Sequence, residues 1–166
     1  MPSLRFTVPY LFDIVNDMTR LRVITRALIL DGESVLLARN KDANFWYPPG
    51  GGWEFESESL KDSVSREVTE ETGYKVDVGR LLWVREFREP EKDKVSLETF
   101  WTTEVSTDNT QTAEGLSAHT DHDQNGAVEE CKWFTFEELQ ELKVLPSFIK
   151  ERLQSRVLDG DSFVDA

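Results

Sequence analysis

The chain is short of the residue types that bring disulfide, imidazole or membrane chemistry. Cys131 is the single cysteine among 166 residues, so no internal disulfide can form, which fits a reducing compartment. Only two histidines are present, His119 and His122. Positive charge is also scarce: 19 Lys and Arg stand against 32 Asp and Glu, for a net charge of −13 and a pI near 4.6. That balance argues against non-specific binding to nucleic acid or to an anionic membrane, both of which need a basic surface. No apolar run approaches membrane-spanning length. The opening MPSLRFTVPYLF lacks the basic segment and apolar stretch of a secretory leader. No membrane association is expected, and the cytoplasm is the default compartment.

What the chain does contain is core material and acid. Hydrophobic residues make up 39%, with five Trp and ten Phe, and the length suits one domain with a proper core. Most of the aromatics are expected inside, with a few left for base stacking or an interface.

The acid is concentrated in Gly52 to Tyr74, GWEFESESLKDSVSREVTEETGY. Ser59 followed three residues later by Asp62 reads as a capping box, and Gly73 as a left-handed C-terminal cap, giving a helix of about 13 residues. Leu60, Val64 and Val68 recur every fourth residue and form a stripe that can pack on a core. At about 100° per residue, Glu67, Glu70 and Glu71 share a narrow arc bordering that stripe. Three carboxylates crowded beside a packed face repel one another unless a cation joins them. An oxygen-only donor set points to Mg²⁺ or Mn²⁺ rather than zinc or copper, and Mg²⁺ held by few carboxylates keeps positions open for substrate phosphates. A solvated acidic face paired with Lys61 and Arg66 is the plainer alternative. It does not account for acids lodged against the stripe, nor for the preceding Pro48-Pro49-Gly50-Gly51-Gly52.

The spacing of Gly52, Glu58 and Arg66-Glu67-Val68-Thr69-Glu70-Glu71-Thr72-Gly73 resembles the signature of the Nudix hydrolases, which split a diphosphate linked to another moiety. The likeness extends over roughly residues 22–142. Two positions depart from it. Tyr74 replaces a bulky aliphatic, and Ser57 stands where the family has a glycine, so the loop is expected to follow a different path and the role of Glu54 stays open. The resemblance implies an α+β fold, an α/β/α sandwich with a mixed sheet between helices. It implies that Glu67, Glu70 and Glu71 bind Mg²⁺, with Mn²⁺ as the other choice, and that a carbonyl of Gly51 or Gly52 joins them. Arg66 is expected to position a glutamate, Glu58 or Glu54, by ion pairing.

Along the chain, residues 1–20 form an N-terminal extension, 21–157 one domain, and 158–166 an acidic, frayed tail. Leu21–Leu30 reads as a buried strand and Ser34–Ala38 as its hairpin partner after the Asp31-Gly32 turn. By resemblance these floor the nucleotide cleft, which makes Arg22, Arg26 and Arg39 candidate substrate contacts. Tyr74–Glu89 and Val95–Val105 read as a hairpin, with Pro90 in its turn a weak marker of ADP-ribose cleavage. Residues 106–126 are polar throughout. Their His119, Asp121, His122 and Asp123 read better as a mobile loop or lid than as a metal site. Glu114 in that loop, and Glu129 and Glu130 on the strand Ala127–Phe134, are candidates for an extra base or metal ligand. Thr135 is expected to cap a helix over TFEELQELK, and a last helix to run from Ser147 to about Arg156.

The expected activity is Mg²⁺-dependent hydrolysis of a nucleoside diphosphate linked to another group, whether nucleotide sugar, ADP-ribose, dinucleotide or triphosphate. Its partner is a small nucleotide, and a homodimer is compatible with the family. A catalytically silent Nudix-fold nucleotide sensor is the main alternative, which the intact Arg-Glu-x-x-Glu-Glu core disfavours. An isopentenyl diphosphate isomerase is disfavoured by the position of Cys131, and an RNA cap hydrolase by the acidic charge.

Overall fold

The computed structural model describes residues 21–89, 94–106, 128–156, 158–159 and 163–164. The expectations for residues 1–20, Pro90, Glu114, His119 and His122 lie outside the described residues.

Two long apolar strands set the frame. β1 (Leu21–Asp31) and β4 (Lys94–Val105) pair in parallel from Leu21↔Val95 to Ile29↔Thr103. β3 (Val76–Glu89) returns antiparallel beside β4. On the other side β2 (Ser34–Asn40) meets β1 only at the hairpin end and pairs antiparallel with β5 (Val128–Thr135). β6 (Phe163–Val164) adds in parallel to β3. The sheet order is β5-β2-β1-β4-β3-β6, and its mixed pairing is the one expected.

Among the described residues, one helix covers each face. α1 (Leu60–Thr72) begins at the Ser59/Asp62 capping box and ends at Gly73, whose φ is 75°. Its stripe meets the sheet as its spacing requires: Val64 and Val68 are fully buried with Ala27, Ile29, Leu36, Ala38 and Trp101, and Leu60 packs at the edge. Each such valine is worth about 1.5–3 kcal/mol relative to exposure. α2 (Ser147–Gln154) covers the opposite face, where Ile149 and Leu153 bury against Leu28, Leu37, Trp83 and Phe100. The result is an α/β/α sandwich. No helix among the described residues is long and apolar enough to cross a membrane.

Two expected elements differ. The helix over TFEELQELK is a single 3₁₀ turn, Glu138–Glu141. Thr135 and Glu138 do make the reciprocal cap. The chain then leaves the helical path because residues 143–145 are pulled into backbone pairing with Trp46, through Trp46 N–H to Lys143 O (2.9 Å) and Leu145 N–H to Trp46 O (2.8 Å). The tail is not wholly frayed either, since Phe163–Val164 continues the sheet beside Val84 and Arg85. Two residues of extended pairing leave almost no periodic signal in an acidic stretch.

Candidate active site

Because β1 and β2 pair only near their turn, the first half of β1 has an open edge, and the glycine loop fills it. Ala27 N–H donates to Pro49 O (2.8 Å), Thr25 N–H to Gly51 O (2.9 Å) and Trp53 N–H to Val23 O (3.0 Å). The loop thus lies as a short extra strand between the sheet and α1. Gly50 holds φ 141°, and a Cβ there would stand 2.0 Å from Thr25 O, so only glycine fits. At Gly51 a Cβ would stand 2.5 Å from a Glu67 carboxylate oxygen. The backbone therefore lies directly against the acidic face of α1.

That face is held by Arg66. Its Nε and Nη2 grip Glu58 in a bidentate pair (2.9 and 2.8 Å), Nη1 reaches Glu67 (2.9 Å) and Glu70 (3.2 Å), and Nη2 also donates to Gly52 O (3.1 Å). Glu58 is one of the two expected partners, Glu54 being the other, and the reach to Glu70 is the i,i+4 contact of a helix. Glu54 contributes its backbone instead, its N–H donating to Glu58 Oε1 at 3.0 Å. With Ser57 in place of glycine, residues 54–58 close on themselves through the N–H groups of Ser57 and Glu58, both donating to Glu54 O.

Arg66 holds the Glu58 carboxyl down at about 2 and is itself held more firmly protonated by Glu58. Glu67 goes the other way: burial pushes its carboxyl upward, against the pull of Arg66. Glu71 is only 8% exposed, and its Oε2 accepts the N–H of Gly50 at 2.9 Å.

The three glutamates open onto a cleft of about 630 Å³. β1 contributes Arg22, Ile24 and Arg26, the chain after β2 contributes Phe45 and Tyr47, and β3 and β4 contribute Arg85, Phe87 and Glu98. Among the described residues, no three carboxylates, imidazoles or thiols converge as a closed cage, since Arg66 stands between Glu67 and Glu70 and Glu71 turns towards Gly50. The donor set still suits a hard divalent cation. It is oxygen throughout, it concentrates negative charge, and the glycine packed against Glu67 leaves no room for a side chain beside it.

A NUDIX domain model matches residues 20–154. The chain belongs to the Nudix family. An uncharacterised Nudix hydrolase of Bacillus subtilis, YvcI, is 41% identical over 56 residues, a stretch that covers 34% of this chain and 35% of that protein. Among solved structures, a UDP-X diphosphatase superposes with a TM-score of 0.61 at 19% identity, covering 93% of this chain and 75% of that one. An ADP-ribose pyrophosphatase from Streptococcus suis gives 0.58 at 19% identity, covering 87% and 96%. These two show the shared Nudix fold.

Not every residue picked out by the sequence reaches the cleft. Arg22 and Arg26 line it. Arg39 lies beyond it, at the end of β2, where it pairs with Glu130 (2.9 Å) and Glu129 (3.3 Å) and covers the Trp46 ring. Glu129 and Glu130 sit on the edge strand β5 and are not part of the cleft wall. Missing from the sequence reading were Glu98, Arg85, Phe87 and Tyr47. Their one available signal was alternation: on β3, Trp83, Arg85 and Phe87 share a face with the α2 core.

Proposed function

We propose that this protein is a hydrolase dependent on Mg²⁺, or on Mn²⁺, that splits the P–O–P link of a nucleoside diphosphate joined to another moiety, and that it works in the cytoplasm. The observation that carries this reading is the placement of Glu67, Glu70 and Glu71 on one helix face, with Glu67 against Gly51 and Glu71 bonded to Gly50, at the side of a cleft of about 630 Å³. Those three carboxylates, with a carbonyl of Gly51 or Gly52, would hold the cation, which when bound would supply positive charge for phosphate oxygens and make a nearby water more acidic.

The remaining work falls to the chain's own groups. Arg66 keeps Glu58 ionised and fixes Glu67 and Glu70 by hydrogen bonds. Arg22 lines the cleft beside Gly52 and has no ion-pair partner among the described residues, so it is placed to meet a phosphate. Phe45, only partly buried, offers a ring at the cleft wall for a base or sugar. A water oxygen forms a bond to one phosphorus while that phosphorus loses its bridging oxygen, which leaves with the other phosphate. The water's proton passes to a carboxylate. Glu67 and Glu71, both in the cleft wall, are the candidates to take it.

The diphosphate chemistry named in the UDP-X and ADP-ribose neighbours is compatible with this class and does not select a member of it. The test is phosphate release, through a coupled phosphatase, from nucleotide sugars, ADP-ribose, dinucleoside polyphosphates and triphosphates, with and without Mg²⁺. Metal-dependent release from one class supports the reading and names the substrate. Silence across the panel, with nucleotide-induced thermal stabilisation retained, moves the assignment to a nucleotide sensor.

A further inference from the structure

The floor of the cleft runs away from the glycine loop in a row set by strand pairing. Gly52 bridges to Ile24, Ile24 stands beside Glu98 on β4, and Glu98 stands beside Arg85 on β3. Ile24, Glu98 and Arg85 all line the cleft. Three strand spacings place Arg85 roughly 14 Å from Gly52. A diphosphate seated against the acidic face of α1 does not extend that far, so the group that meets Arg85 is one carried on the diphosphate.

Arg85 is fixed at one end and on one face. Its Nη1 donates to Glu98 Oε2 at 2.9 Å, and Glu98 is only 6% exposed. The guanidinium also lies over the Phe87 ring, with Cζ 4.8 Å from the centroid. What is left is the edge formed by Nε and Nη2, the pair of parallel donors with which Arg66 grips Glu58. On Arg85 that edge has no hydrogen-bond partner among the described residues and is not closed off from solvent. Glu98 and Glu89 line the same wall, so a neutral acceptor suits the edge better than a further anion. In a nucleotide the neutral, planar group is the base. Guanine presents O6 and N7 side by side, the acceptor pair that an arginine fork bonds in bidentate fashion, whereas adenine puts its N6 donor where O6 would be.

We infer that Arg85, braced by Glu98 and Phe87, is the base-reading residue of the cleft and selects guanine over adenine nucleotides. The inference rests on the reading of the cleft as a nucleotide site and does not depend on how the diphosphate is cleaved. A good bidentate pair separates the right base from the wrong one by about tenfold or more.

The test is calorimetric titration of GMP and AMP, which carry no P–O–P link, into the full native chain, Arg85→Lys and Phe87→Leu, with Mg²⁺ present. Beside it runs turnover of GDP-glucose and ADP-glucose, which differ in the base alone. The native protein is expected to bind GMP about tenfold or more tighter than AMP and to show the same preference in kcat/KM. Arg85→Lys keeps a cation beside Glu98 and loses the paired donors, so the preference should fall to near one through weaker GMP binding, with AMP affinity unchanged. General structural damage would weaken both nucleotides alike. Equal Kd values in the native protein, tighter binding of AMP, binding of neither, or a preference that survives Arg85→Lys overturns the inference. Hydrolysis of both sugars with equal efficiency also overturns it and leaves the hydrolase reading standing. A GMP preference that Arg85→Lys abolishes, with neither sugar turned over, supports the inference and removes the hydrolase reading instead. Phe87→Leu covers a failure of Arg85→Lys to fold: a GMP preference reduced about threefold agrees with the inference, and an unchanged one rejects it.

Discussion

Arg66 and Arg26 stand on the two sides of one glycine loop and are built in opposite ways. Arg66 gathers partners from its own neighbourhood: Glu67 and Glu70 within one helical turn, and Glu58 eight residues back. Arg26 gathers Glu98 across 72 residues of chain and, through it, Arg85 from a third strand. The first cluster comes into register once one capped helix forms. The second exists only when β1, β4 and β3 are all in place. The loop between them is thus gripped by a local device at Gly52 and a long-range one at Gly50.

Perturbing the local side should give the largest effects. Glu70→Gln keeps shape and removes one negative charge, so turnover at fixed Mg²⁺ is expected to fall by about three orders of magnitude, about 4 kcal/mol in the barrier. Stability should be unchanged or slightly higher, because repulsion within the arc is relieved. Steady-state turnover and thermal unfolding read the two outcomes separately. Near-native turnover would reduce the helix face to a solvated acidic surface.

Removing the hub comes next. Arg66→Met leaves the largely buried Glu58 and Glu67 without their cation, at an expected cost of about 3 kcal/mol. For a domain of this size that corresponds to a fall in Tm of about 6–12 °C, measurable by calorimetry in EDTA. A drop of under about 2 °C would mean that these carboxylates do not need Arg66.

The same pair predicts a pH dependence of known sign. Glu58 has its pKa lowered from 4.5 to about 2 by Arg66, so its contribution is full above about 4.5 and is lost as pH falls towards 2. At about 1.4 kcal/mol per unit, this is about 3 kcal/mol. Unfolding free energies of native protein and Glu58→Gln in urea should therefore differ most near neutral pH and converge below pH 3. Parallel curves would contradict the assignment.

What could be read ahead of the structure follows the same division. The bounds of α1 were legible because its caps are local: the side chains of Ser59 and Asp62 answer each other's backbone, and Gly73 takes the left-handed turn. The carboxylate arc followed from helical geometry, and the family resemblance narrowed the Arg66 partner to Glu58 or Glu54. Glu98, Arg85 and Tyr47 were not legible, because no spacing in the chain says that β1 lies parallel to β4 in that register. Arg39 illustrates the converse. Its neighbour on β5 is Glu130, a pairing that holds it away from the cleft where the family resemblance suggests a substrate contact.

That outer cluster supplies the smallest expected effect. Glu130→Gln weakens a half-exposed pair with Arg39, so stability should change by about 1 kcal/mol or less and turnover should remain native. A large loss of turnover would place β5 in the reaction after all.

The most direct test of the account is whether Glu67, Glu70 and Glu71 bind the cation. Isothermal titration of Mg²⁺ into the native protein and into the triple variant Glu67→Gln/Glu70→Gln/Glu71→Gln, checked for native circular dichroism, answers it. The account predicts a saturable binding event in the native protein that vanishes in the folded variant. Equal binding by both, or none by the native protein, would contradict it.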